Sequence, residues 1–157
     1  MIEQATANSL RKSITVDVPQ ERAFEVFTSG FASWWPLDTH HIAEKDAETA
    51  ILEPRAGGRW YERAADGSEC SWGTVIAFDP PERVVLGWQL NGDFKYDPDL
   101  VTEVEVSFIP EGESRTRVVL EHRDLDRFGD SRDAVTKAFN AQEGWSGLLE
   151  RFARAVA

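Results

Sequence analysis

Between residues 47 and 123 the chain reads as one short strand after another, and that run limits what it can fold into. The candidate strands span 47–53, 59–64, 70–78, 83–90, 101–109 and 116–123. The joints between them, PRAGG, DGSE, DPPE, NGDFKYDPD and PEGES, are rich in Gly, Pro, Asp and Asn, the residues that turns require. Alternation assigns faces. Thr102, Val104, Val106 and Phe108 share one side; Glu103, Glu105 and Ser107 share the other. Val84, Leu86, Trp88 and Leu90 fall on one side, as do Thr116, Val118, Leu120 and His122. One apolar and one polar face describe an antiparallel sheet covered on one side only.

The cover follows directly. From Ser131 the pattern is helical to the end, with Val135, Ala138, Gln142, Trp145, Leu149, Phe152 and Val156 recurring at spacings of three and four. About 25 residues of helix span roughly 37 Å, enough to cross a sheet. Gly144 and Gly147 interrupt good helix formers at about 1 kcal/mol each, so they mark a bend or the close approach of another backbone. At the other end, residues 10–18 form a strand with Ile14, Val16 and Val18 on one side. Pro19 then opens a helix carrying Ala23, Phe24 and Phe27. A second short helical turn at 31–35 ends at Pro36. The expectation is an α+β helix-grip fold: a curved antiparallel sheet of about six to seven strands around a long C-terminal helix, with two short helices after the first strand. Residues 1–9 read as a flexible tail and 10–157 as a single domain.

A length of 157 residues suits one domain. The single cysteine, Cys70, excludes an internal disulfide and a multi-cysteine zinc site. A net charge of −11 opposes binding to nucleic acid and to anionic membranes. No run approaches the roughly 18 apolar residues of a membrane helix, and the N-terminus lacks the apolar core of a secretory signal. The cytoplasm is the expected location.

Six tryptophans are the unusual component. Indoles are large and mostly apolar, so most must line a core or a cavity. Two stand together in FASWWPLDTHHI at 31–42. Trp34 and Trp35 read either as core caps or, for one of them, as a wall at a pocket mouth. Adjacent helical residues diverge by about 100°, so both are not expected to face the same place. Trp60, Trp72, Trp88 and Trp145 read as core by spacing, with Trp88 and Trp145 the best placed to wall a pocket. His122 continues an inward stripe. It is either a paired core histidine or a pocket group that orients a ligand or moves a proton. His40 and His41, near Glu44 and Asp46, are adjacent rather than spaced for chelation, so no metal site is expected. Arg59 and Arg63 share a face with Tyr61 opposite Trp60, and read as solvent-facing, or, if buried, as an anion anchor. Cys70 and Ser71 have no neighbouring base and no nucleophile-elbow motif occurs. No catalytic residue and no cofactor is assigned.

The order of elements, with VDVPQERAFEVFT at 16–28, SWWP at 33–36, AGGRW at 56–60, WGTVIAFDPPERVVLGW at 72–88 and GWSGLLERFA at 144–153, resembles the SRPBCC superfamily. This is the helix-grip fold of START domains and the birch-pollen allergen type. Within it the chain is similar to the AHSA-type branch, named for activators of heat-shock-protein ATPase. The resemblance implies binding of a small hydrophobic or aromatic molecule between sheet and C-terminal helix; by the faces assigned above, Phe24, Trp35, Trp88, His122 and Trp145 are the expected walls or anchors. It also implies two alternatives: a cyclase or hydrolase acting on such a ligand, and a chaperone-interacting regulatory module with a role in stress response. A homodimer is compatible with each.

Overall fold

Strand β2 (Ser9–Val16) and the last strand, β8 (Thr116–Arg123), lie side by side, so the beginning and end of the strand run close on one another. The computed structural model describes residues 4–5, 8–37 and 47–156. The remaining strands are β1 (Gln4–Ala5), β3 (Ala47–Leu52), β4 (Arg59–Ala64), β5 (Glu69–Asp79), β6 (Arg83–Trp88) and β7 (Thr102–Pro110). They form a single sheet in the order β1-β2-β8-β7-β6-β5-β4-β3, every neighbour antiparallel. After β2 come helix α1 (Gln20–Thr28) and a 3₁₀ turn (Phe31–Ser33). After β8 come a 3₁₀ stretch (Leu125–Ser131) and helices α2 (Arg132–Asn140) and α3 (Gly147–Val156). This is an α+β helix-grip fold.

The register builds the inner face column by column. Val106 pairs with Leu120 and Val84, and Val104 with His122 and Leu86. Leu10 pairs with His122 from the other side. All of these are buried, while Glu103, Glu105 and Ser107 on the alternate face are half-exposed. On that outer face Arg123 bridges Glu103 at 2.7 Å and Glu105 at 2.6 Å, and Arg83 bridges Glu105 at 2.9 Å. Hydrogen bonding from Arg123, then from Arg83, holds the Glu105 carboxyl below its ordinary range despite partial desolvation.

Curvature comes from β5. Its register slips twice, once against β4 between Trp60 and Tyr61 and once against β6 between Val75 and Ala77. An extra residue on one strand bends it and increases the twist. The first slip brings both Trp72 and Val75 to the buried side. Gly73 occupies the slip because a Cβ there would collide with the carbonyl of Gly87 and crowd the Trp60 indole nitrogen. The same close approach lets Trp60 Nε1–H donate to the Gly87 carbonyl at 2.9 Å.

Pro19 caps α1, whose inner side buries Ala23, Phe24, Val26, Phe27 and Thr28. The Gln20 side-chain amide donates to the Phe108 carbonyl at 2.8 Å and ties the helix to β7.

The C-terminal helical segment is not continuous. Ala141 is extended (φ −73°, ψ 166°) and Gly144 is non-helical (φ −88°, ψ −143°), so α2 and α3 meet at a bend. Both glycines sit where a Cβ would strike carbonyls of the preceding turn: Phe139 for Gly144, Gln142 for Gly147. The break shifts the buried stripe. Ala138, expected inside, is exposed; Phe139 is buried in its place; Gln142 is exposed and donates to Glu150 across the bend at 2.9 Å. No helix among the described residues is long and apolar enough to cross a membrane.

Candidate functional site

The inner face of the sheet and the two terminal helices meet over a continuous run of aromatic rings. Trp88 at the end of β6 contacts Trp60, His122, Phe139 and Trp145, with ring centroids 5.3–5.7 Å apart. Trp145 reaches Trp35 at 6.3 Å, and Trp35 stacks on Phe31 at 5.0 Å and meets Trp72 at 5.2 Å. Four of the five expected residues, Trp35, Trp88, His122 and Trp145, are therefore joined by direct ring contacts. All four are buried.

Phe24 stands apart from them. It packs edge-on against Phe78 and Phe108, both at 5.2 Å, and lines an open outer groove of about 410 Å³ between α1 and the prolines Pro54, Pro80 and Pro81. Trp34 and Trp35 are both buried, contrary to the divergence expected of adjacent helical residues. The 3₁₀ turn ends at Ser33, and Trp34 (φ −126°, ψ −18°) has already left helical geometry. Trp34 packs on Phe27 and Phe152, while Trp35 packs on Trp72 and Trp145. Arg59, exposed, and Arg63, half-exposed, lie against the Tyr61 ring on the outer face, paired with Glu69 at 3.2 Å each. Cys70 is half-buried and its thiol is pushed up by desolvation and by Glu62, the opposite of an activated nucleophile. His40 and His41, with Glu44 and Asp46, lie outside the described residues.

His122 has no solvent exposure. Its Nδ1 accepts from Trp145 Nε1–H at 3.2 Å. An indole nitrogen can only donate, so Nδ1 carries no proton and the ring proton sits on Nε2. Nε2 lies 2.8 Å from Thr102 Oγ1 and donates to it; the Thr102 hydroxyl is left to donate to the Trp88 carbonyl at 3.3 Å. The imidazole also stacks on Phe139 at 4.5 Å. Complete burial lowers its pKa to about 3, so the ring is neutral near pH 7. The arrangement fixes one tautomer and occupies both nitrogens. It can orient the Trp145 ring and the end of β6, and it offers no free lone pair for taking up a proton.

Several interior polar groups escaped the sequence reading. Lys12 is fully buried, and its ammonium donates to Asn140 Oδ1 at 2.7 Å beside the helix break. Glu62 is buried and accepts from Trp72 Nε1–H at 2.8 Å. Thr102 completes the histidine circuit. The signal for each was present. Lys12 shares parity with Ile14 and Val16, Glu62 with Trp60 and Ala64, and Thr102 was already placed on the inward side. Phe139 carried no such signal, because it becomes an inner residue only through the bend.

Comparison with known proteins places this geometry in a family. The sequence matches, over residues 17–157, the family described as activator of Hsp90 ATPase homolog 1-like protein. The chain belongs to this family. Among solved structures, this AHSA-type chain is similar to an anthrahydroquino-gamma-pyrone synthase, Txn09, at 39% identity, covering 94% of this chain and 96% of that one with a TM-score of 0.66. It is similar to CalC, a self-sacrificing resistance protein from Micromonospora echinospora, at 33% identity, with 95% and 94% coverage and a TM-score of 0.71. Protein Ms6760 from Mycobacterium smegmatis, at 17% identity and a TM-score of 0.69 over 100% and 96% of the two chains, shares the fold. Comparison with curated proteins gives no match.

Proposed function

We propose that this AHSA-type protein binds a small, flat hydrophobic molecule between the inner face of the sheet and the α2–α3 bend. The observation that carries this reading is the convergence of Trp35, Trp88, Trp145 and Phe139 from three separate parts of the chain onto one seam, with His122 fixed among them. Flat rings prefer offset or edge contact with other flat rings, so such a seam selects planar ligands. The relative at 39% identity is a synthase named for a fused-ring small molecule, an anthrahydroquino-gamma-pyrone, which supports this reading.

A second reading, a synthase or cyclase acting on the bound molecule, draws on the likeness to Txn09. The histidine circuit favours binding over His122-based proton transfer, because both ring nitrogens are engaged and the ring resists protonation. In either case His122 is a positioning residue.

The experiment is a thermal-shift and calorimetric titration against a panel of planar aromatic compounds. A ligand at one hundred times its Kd stabilises the native state by about 2.7 kcal/mol, a rise of several degrees in Tm. Substituting Trp145→Ala should remove that rise. A panel that produces no shift at saturating concentration refutes the proposal.

A further inference from the structure

Of the indoles that line the seam and the sheet beneath it, Trp88 differs from Trp60, Trp72 and Trp145 in having no acceptor for its N–H. Trp60 Nε1–H has the Gly87 carbonyl, Trp72 Nε1–H has Glu62, and Trp145 Nε1–H has His122. Trp88 is only 6% exposed, yet its Nε1–H is buried and has no acceptor. A buried donor without a partner has lost its water and gained nothing in exchange, and native interiors pair nearly all of theirs. The Trp88 main-chain carbonyl, by contrast, accepts from the Thr102 hydroxyl. Within Trp88 the deficit is therefore confined to the indole nitrogen.

That atom also lies where the cover is most easily parted. Two of the four rings around Trp88, Phe139 and Trp145, come from opposite sides of the break at residues 141–144. Helix α2 buries two apolar side chains, Val135 and Phe139, and is tied to β2 at its hinge end by the Lys12–Asn140 hydrogen bond, whereas α3 buries Leu148, Leu149, Phe152 and Val156. Segments with few buried apolar groups open at low free-energy cost. Swinging α2 about Ala141 withdraws Phe139 from the face of Trp88 and leaves Trp145, His122 and the rest of the seam in place.

We infer that the ligand carries a carbonyl or equivalent hydrogen-bond acceptor on its flat ring system, and that Trp88 Nε1–H is the donor that receives it, with α2 moving to admit the molecule. This rests on the seam being a ligand site, and goes beyond it by naming the ligand's chemical class and the atom that reads it. A pure hydrocarbon would leave the donor unpaired; a ring ketone would satisfy it.

The test uses two planar tricycles of nearly equal shape, fluorene and 9-fluorenone, which differ at one carbon by a carbonyl. Calorimetric titration of the wild-type chain should show fluorenone binding at least tenfold more tightly. Trp88→Phe keeps a ring and deletes the donor. It should abolish that ratio by weakening fluorenone alone, while Trp34→Phe, which deletes a second unpartnered buried indole N–H packed instead against Phe27 and Phe152, should leave the ratio unchanged. The wild-type ¹H–¹⁵N spectrum gives an independent reading if Trp88→Phe does not fold: the Trp88 Nε1–H resonance should move downfield with fluorenone and not with fluorene. Equal affinities in the wild type, or a ratio that survives Trp88→Phe, overturn the donor assignment and leave the ligand site standing. Binding of neither compound overturns both.

Discussion

Trp145 and His122, 23 positions apart, share a hydrogen bond in which the indole N–H gives its proton to an imidazole nitrogen 3.2 Å away. One residue lies at the helix bend and the other at the end of β8, so this bond joins the cover to the sheet. It also suits a neutral imidazole, the form that burial favours. A protonated His122 would confront the indole donor with a second N–H, and the described contacts of the ring, with Thr102, Trp88, Phe128, Phe139 and Trp145, include no carboxylate.

Stability should therefore depend on pH through His122. Its native pKa, about 3, lies below the ordinary 6.5. Between those values the unfolded chain binds a proton that the native chain refuses, so stability is fully present above pH 6.5 and falls as the pH drops. The slope approaches about 1.4 kcal/mol per pH unit. Urea unfolding at pH 7, 6 and 5 should show the midpoint falling in the wild type, and His122→Asn should flatten the decline. An unchanged slope in the variant would assign the effect to other groups.

Gly73→Ala should cost about 3 kcal/mol, since the new methyl overlaps the Gly87 carbonyl and displaces the Trp60 indole from its acceptor. Denaturant melts read the loss directly. A variant as stable as the wild type would mean that β5 and β6 do not approach so closely.

Arg123→Met should weaken the fold by about 1 kcal/mol at low salt, because it leaves Glu103, Glu105 and Glu121 facing one another without their shared cation. Half-exposed charges are screened, so the difference should shrink in 1 M NaCl. A penalty indifferent to salt would point to lost packing of the arginine stem instead.

How much of this was legible in the sequence depends on whether each residue's place follows from local periodicity. Period-two alternation placed Val104, Val106, Leu120 and His122 correctly, and turn residues marked nearly every strand boundary. The same rule, carried two residues back from Ile14, would have put Lys12 inside. A lysine at a core position is discounted because its charge is costly to bury, and only the Asn140 carbonyl at the helix end shows what offsets it. Helical spacing nominated Ala138 and missed Phe139 because it assumes an unbroken helix, although Gly144 and Gly147 marked the interruption. Bulges in β5 add residues without a compositional mark beyond Gly73, so the joint burial of Trp72 and Val75 could only be seen in three dimensions. Trp88, His122 and Trp145 were recognisable as inward-facing from their stripes; that Trp35 is buried among them, and that Phe24 packs on Phe78 and Phe108 rather than on those rings, was not.

The six tryptophans, inside the seam and beside it, also form an optical unit. Trp34, Trp35, Trp60, Trp72, Trp88 and Trp145 lie in a chain of contacts with successive ring centroids 5.2–6.3 Å apart. At such spacing an excited indole hands its energy to its neighbour before it can emit. The protein's fluorescence is thus a property of the whole array, and a quencher resting against any one ring darkens them all.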